Sequence, residues 1–288
     1  MITPRRWLRN VVSDLFDVQG DIDILWTPHE PIIYVNNPKS GCSTIKHSLK
    51  AAEARGYEKS GKTYKRLKSP HEEDDCLKKK GLRISKCSQR FIISCVRNPY
   101  ARALSCFLDK IERKVPRTPR ALRDLRNRGV ESFEQYLFEL SRLNPRDLDP
   151  HFRPQHINLN FPNISYDRVF FLENTNPLSE FLNQLSPGLQ LKTFAPHSHS
   201  SNSRIRSYYT DRSSELVRSI YANDFSSFGY SNDLDDVDFS PAEFIANNRL
   251  VSASDLRPDE APHSGRAASC RTFQATLRYR QLIELHLI

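Results

Sequence analysis

The chain has 288 residues, of which 38% are hydrophobic and 27% charged. That is enough to bury the core of one domain, with or without an appendage. The formal net charge of +9 predicts an anionic partner (nucleic acid, a membrane surface, a phosphorylated or sulfated small molecule, or an acidic glycan), and the absence of any apolar run of about 18 residues excludes a membrane-spanning helix.

Met1 to Leu8 carries Arg5 and Arg6, and no apolar stretch long enough for a signal peptide follows. The expected location is cytoplasmic. The six cysteines form no CxxC pair, which gives zinc-ribbon and thioredoxin readings no support. Cys95 and Cys106 read as buried free thiols. Cys76 and Cys87 flank a Lys-rich loop and could pair in an oxidising compartment, but stay reduced by default in a chain without a signal.

Residues 1–30 read as a lead-in. Ile32 to Asn36 (IIYVN) is a short β-rich run and predicts a buried strand. Pro38 to Thr44 is a turn, and Ser43 to Ala54 predicts a helix with Ile45, Leu49 and Ala52 on one face. Glu58 to Arg90 is polar, Lys-rich and without period, as a surface excursion would be. Phe91 to Val96 (FIISCV) is the second strand. Asn98-Pro99 opens a helix through about Arg113, with proline at the favoured first position. Lys114 to Gly129 reads as an exposed connection. Ser132 to Leu143 predicts an amphipathic helix with Phe133, Tyr136, Leu137 and Leu140 inward.

Asn144 to Pro162 is a long loop dense in His, Pro, Asp and Arg, of the kind that carries function. Arg168 to Leu172 (RVFFL) is a third strand and Pro177 to Leu185 a helix. His197 to Arg206 reads as a Ser-rich loop and Glu215 to Asp224 as a helix. Residues 233–288 read as a poorly ordered C-terminal tail, with a short amphipathic helix possible only at Ala275 to Ile288. Strands alternating with helices predict an α/β fold with a mainly parallel central sheet flanked by helices, and ligands beyond the carboxyl ends of its strands.

Two motifs stand at such strand ends. Pro38-Lys39-Ser40-Gly41-Cys42-Ser43-Thr44 lies between a strand and a helix. Free amides at a helix start bind anions, Gly41 permits a tight turn, and Lys39, Ser43 and Thr44 add donors. The alternative is an ordinary turn with Ser43 as a cap. It is not a Walker A loop, which needs a lysine after its last glycine. The second motif, Arg97-Asn98-Pro99-Tyr100-Ala101-Arg102-Ala103-Leu104-Ser105, again runs from strand to helix. Arg97 can grip a phosphate with two parallel bonds, and Ser105 lies about two turns further along. Alone it could be a surface ion-pair partner. The two motifs together suit a ligand with two separated phosphate clusters.

With their surroundings they resemble the sulfotransferases that use 3′-phosphoadenosine-5′-phosphosulfate (PAPS), in particular the Golgi-type carbohydrate enzymes related to the chondroitin and HNK-1 sulfotransferases. Those enzymes carry a first loop of the form PKxGxST and a second of the form RxPxxRxxS; this chain has PKSGCST and RNPYARALS. DPHFRPQ at 149–155, YDRVFFLENT at 166–175 and IYANDFSSFGY at 220–230 resemble three further segments of that branch. The likeness covers residues 31–232, in order. Phe152 replaces the family's tryptophan, and the family's membrane anchor and the tail find no counterpart.

The resemblance implies a P-loop nucleotide-kinase-like fold. It implies a 5′-phosphosulfate site at Lys39, Ser40, Gly41, Cys42, Ser43 and Thr44, and a 3′-phosphate site at Arg97 and Ser105. It also implies a carbohydrate acceptor. Lys39 and the amides of 40–44 are the expected stabilisers of charge on the leaving group, with no metal required. His151 is the candidate general base, with Asp149 to orient it; His156 and Glu173 are the alternatives. His197 and His199 lack a third ligand for a metal, and the basic stretch Arg113, Lys114, Arg117, Arg120, Arg123 and Arg126 reads as a solvated linker, with an anionic-glycan contact as the alternative. A P-loop kinase would share the architecture but needs a strand-end metal aspartate that is not evident. A nucleic-acid or polyanion-binding module would interleave aromatics with its basic run, and residues 113–128 contain none. The oligomeric state is not legible.

Overall fold

The computed structural model describes residues 23–27, 29–61, 70–71, 78–79, 90–113, 127, 129–187, 189, 191 and 201–255. Their strands are β1 (Ile24–Trp26), β2 (Ile32–Val35), β3 (Lys78–Lys79), β4 (Phe91–Val96), β5 (Arg168–Phe171), β6 (Phe244–Ala246) and β7 (Arg249–Val251), joined in one sheet of order β3-β1-β2-β4-β5-β6-β7. The centre is parallel: Ile33 pairs with Ile92, and Ser94 with Val169. Both flanks are antiparallel.

The helices are α1 (Cys42–Lys59), α2 (Pro99–Phe107), α3 (Phe133–Ser141), α4 (Gln155–Asn158), α5 (Asn176–Leu185), α6 (Ser201–Tyr208), α7 (Asp211–Ile220) and α8 (Ala222–Phe228); α2 runs into a π-helical turn, Leu108–Glu112. They cover both faces of the sheet. Ile33, Val35, Ile92, Val96, Val169 and Phe171 point to the face packed by α2, α3, α7 and α8. Ile32, Tyr34, Ile93, Cys95 and Phe170 point to the other, against α1 and α5. Burial on both faces explains why the three central strands read as continuous apolar runs and not as alternating ones. The expected α/β architecture is therefore present. Ile45, Leu49 and Ala52 of α1, and Phe133, Tyr136, Leu137 and Leu140 of α3, are buried as their spacing predicts.

Five boundaries differ from the sequence reading. The lead-in is not all outside the domain, because β1 pairs with β2. Helix α1 continues past Ala54 through Gly56, where a Cβ would sit 2.7 Å from His29 Cβ. The close approach lets the buried Glu53 carboxylate accept the amides of His29 and Glu30, at 2.9 and 2.7 Å. The Ser-rich segment contains α6, anchored by buried Ile205 and by Tyr208 against Phe107 and Phe133. The expected helix 215–224 is two, α7 and α8, with α7 starting early at a Thr210–Ser213 capping box.

The fifth difference is the tail. Residues 233–255 are part of the domain, and β6 and β7 extend the sheet. They form a two-residue hairpin through Asn247 and Asn248, both at positive φ (49° and 60°), the turn geometry that matches strand twist. Phe244 lies under the Arg168 guanidinium, 4.1 Å from its ring centroid, and Ile245 is buried. A chain ending at Asp238 is therefore expected to lose roughly 3–6 kcal/mol of stability from these two side chains and the bared β5 edge. Thermal unfolding of the truncated chain checks this; an unchanged midpoint would show that the hairpin contributes nothing. Arg117, Arg120, Arg123, Arg126, Cys76, Cys87, Cys270, His197 and His199 lie outside the described residues.

Candidate active site

The first loop leaves β2 and enters α1 through two left-handed residues, Lys39 (φ 69°) and Gly41 (φ 74°). Gly41 is the N-cap and has no side chain to offer, so no side chain at that position caps the first turn of the helix. Its amides, with the Ser43 and Thr44 hydroxyls, form the anion-attracting end of a helix of 18 residues. Lys39 Nζ stands 3.0 Å from Asp109 Oδ2 on the π turn, and Asp109 also meets Lys110 at 3.1 Å. Burial would raise the Asp109 carboxyl, but Lys39 and Lys110 outweigh it and hold it down to about 2.

The second loop leaves the adjacent parallel strand. Arg97 ends β4, half-buried; Asn98 caps α2, accepting from the Tyr100 amide at 3.0 Å, and Pro99 takes the first turn. Burial pushes the Arg97 guanidinium down from its ordinary value, against the pull of nearby Glu173 and Tyr230. Ser105 is half-buried on α2.

Two side chains that the sequence reading did not single out tie these loops together. Gln155, fully buried at the start of α4, accepts at Oε1 from Asn37 Nδ2 (2.9 Å), Ser40 Oγ (3.0 Å) and the Arg97 amide (3.0 Å), and donates from Nε2 to the Arg97 carbonyl (2.8 Å). It touches both loops at once. Arg102, 1% exposed, donates to three carbonyls: Pro38 (3.0 Å), Arg153 (2.9 Å) and Pro150 (3.0 Å). It joins the first loop to the 149–155 segment. Each lies in a motif that the sequence displays, Arg102 in RNPYARALS and Gln155 in DPHFRPQ, but only their partners disclose what they do.

The three candidate bases separate by geometry. Glu173 accepts from the Asn98 amide at 2.7 Å and the Tyr230 hydroxyl at 2.9 Å, so both oxygens are occupied. His156 Nδ1 lies 2.8 Å from Asp224 Oδ1, and that buried carboxylate also accepts the His156 and Gln155 amides. Asp224 is thus part of the frame, and the His156 side chain is 19% exposed. His151 has the same carboxylate-held ring on a more exposed side chain. Its Nδ1 is 2.7 Å from Asp149 Oδ1, and its side chain is 32% exposed. Burial would raise the Asp149 carboxyl, yet the bonds from His151 leave it below its ordinary value. A ring held at Nδ1 by a carboxylate presents Nε2 as its proton acceptor. A second histidine that the sequence reading did not single out stands nearby: His71 Nε2 is 3.0 Å from Ser43 Oγ.

A model of the Sulfotransferase family matches residues 23–231, a span that holds both loops, Gln155 and the His151–Asp149 pair. The chain belongs to the sulfotransferase family. The match begins at β1, so the antiparallel strand beside β2 is part of the family unit, whereas β6 and β7 of this sulfotransferase follow it. No curated protein and no solved structure gives a significant match. Among the described residues no three His, Cys, Asp or Glu side chains of the sulfotransferase converge as a metal site, and no helix is long and apolar enough to cross a membrane.

Proposed function

We propose that this sulfotransferase transfers the sulfuryl group of PAPS to a hydroxyl of a carbohydrate acceptor, releasing adenosine 3′,5′-bisphosphate. The observation that carries the reading is the pair of loops at adjacent strand ends, fixed to each other through Gln155. One cradle suffices for a nucleotide with a single phosphate cluster. A second cation-bearing loop, one strand away, fits a nucleotide phosphorylated on its ribose as well. The carbohydrate class rests on the motifs shared with the Golgi-type enzymes.

In this reading the acceptor oxygen attacks sulfur in line, and the bond from sulfur to the bridging phosphate oxygen breaks. The hydroxyl proton passes to His151 Nε2, and Asp149 stabilises the imidazolium through Nδ1–H. Negative charge grows on the departing phosphate, where Lys39 and the first amides of α1 are fixed donors. Lys39 must exchange Asp109 for the donor.

Calorimetry with adenosine 3′,5′-bisphosphate and AMP, without Mg²⁺, tests the donor assignment. The bisphosphate is expected to bind about ten- to a hundred-fold more tightly, the worth of a charged hydrogen bond. Arg97→Ala removes the side chain but keeps the Gln155 contacts of residue 97, which are to its backbone. It should remove most of that difference and leave AMP affinity nearly unchanged. Equal affinity of the unmodified protein for the two nucleotides, or a preference for Mg²⁺-ATP, would defeat the PAPS reading and favour a kinase.

A further inference from the structure

His71 belongs to no motif. It comes from the polar segment between α1 and β4, beside buried Pro70, and its ring stands over the first turn of α1 through Ser43. The groups that act on it come from three sides and are all cationic or able to become so: Lys46 and Lys50 of α1, Lys110 of the π turn, and His151 before α4. Three carboxylates that meet these groups are already engaged. Asp109 meets Lys39, Lys110 and Arg113, and Asp149 meets His151; Asp23 is 3.9 Å from Lys46 Nζ. His71 is exposed at the surface; partial desolvation of its ring first, and then these cations, pull it down to about 4.

A neutral imidazole among lysines is placed to respond to an anion. A phosphate or sulfate group entering the cradle changes the sign of the nearest charge and favours the imidazolium. We propose that His71 is a further donor-contacting residue, which takes a proton from solvent when the anionic 5′ group of the donor binds and then donates a hydrogen bond to it. This rests on the reading of the cradle as a phosphosulfate site. It assigns a function to part of the Lys-rich excursion: covering the donor with a residue that is uncharged until the donor arrives. By linkage, donor affinity gains from the contact as pH falls from neutrality towards the ordinary histidine range.

Calorimetry with adenosine 3′,5′-bisphosphate at about pH 6, repeated in two buffers of different ionisation enthalpy, counts the protons exchanged on binding. His71→Asn keeps a polar group for Ser43 but cannot titrate, and titration of the ligand itself cancels between the two proteins. The unmodified protein is expected to take up a large part of one proton more than His71→Asn and to bind about tenfold more tightly. His151→Asn, which retains His71, should keep the extra uptake. Identical proton counts for the unmodified protein and His71→Asn overturn the proposal, as does loss of the extra uptake in His151→Asn alone. Failure of the unmodified protein to bind the bisphosphate at all overturns the donor reading itself, and the proposal with it.

Discussion

Lys39→Ala is expected to lower sulfuryl transfer by at least about 100-fold, the usual consequence of removing a fixed donor from a developing oxyanion, with little change in stability. Lys39 is held in a left-handed conformation that alanine shares as an L-residue, so the substitution adds no new backbone strain. It does delete one partner of Asp109. That carboxylate keeps Lys110 at 3.1 Å and Arg113 at 4.0 Å, so it is not left as an uncompensated charge. Because Asp109 is held down to about 2, the stability the cluster contributes is present above the ordinary aspartate range. It is lost only as pH falls through about 2. The Lys39 contact therefore leaves no step in a pH–rate profile near neutrality. Single-turnover transfer from labelled PAPS measures the loss. Near-normal transfer with intact folding would remove Lys39 from the chemistry.

Among single substitutions, Arg102 carries the largest expected effect on stability. Arg102→Leu fills much of the same space but leaves the carbonyls of Pro38 and Arg153 without their donor in a site where the side chain is 1% exposed, while the Pro150 carbonyl keeps Asn158 Nδ2 at 2.8 Å. An orphaned buried acceptor costs about 1–3 kcal/mol. With relaxation and water entry, about 2–4 kcal/mol is expected for the two together. Arg102→Lys keeps the charge, but an ammonium cannot span three carbonyls on two segments in the way a planar fork does, so it should fall between. Urea unfolding of the three proteins checks the order. The first loop should suffer with the fold, since Pro38 is the residue before Lys39. Equal stability of all three would show that the carbonyls find other donors.

The contrast between these positions bears on what a sequence discloses. The central strands were legible because IIYV, FIISCV and RVFF are buried on both faces, and continuous apolar runs survive without knowledge of neighbours. Helix α3 was legible because one of its stripes is apolar and its cap is local. Lys39 and Arg97 stand out because a basic residue beside a strand end has a chemical meaning on its own. Gln155 does not, since a glutamine in a loop is ordinary until Asn37, Ser40 and residue 97 converge on it. His71 sits in a run without period, so no pattern marks it. The β6–β7 hairpin failed for a different reason. Its strands are three residues each, its turn is Asn-Asn and not Asn-Gly, and the acidic and Ser-Pro residues before it have the composition of a tail. Only pairing with β5 makes it structure.

The Gln155 bridge also sets an order of assembly. Asn37 and Gln155 are separated by 118 residues, and Gln155 is in turn held by Asp224, another 69 residues on. At about 5–20 residues per second of synthesis, the first loop waits roughly 6–24 s for the amide that fixes it, and longer for the carboxylate behind that amide. A nascent chain thus exposes PKSGCST and RNPYARALS to the ribosome and its RNA well before either loop has its final shape. Their cations are at that stage solvated charges on an unfinished polypeptide. The two loops take their final arrangement late, once Gln155 and, behind it, Asp224 are in place.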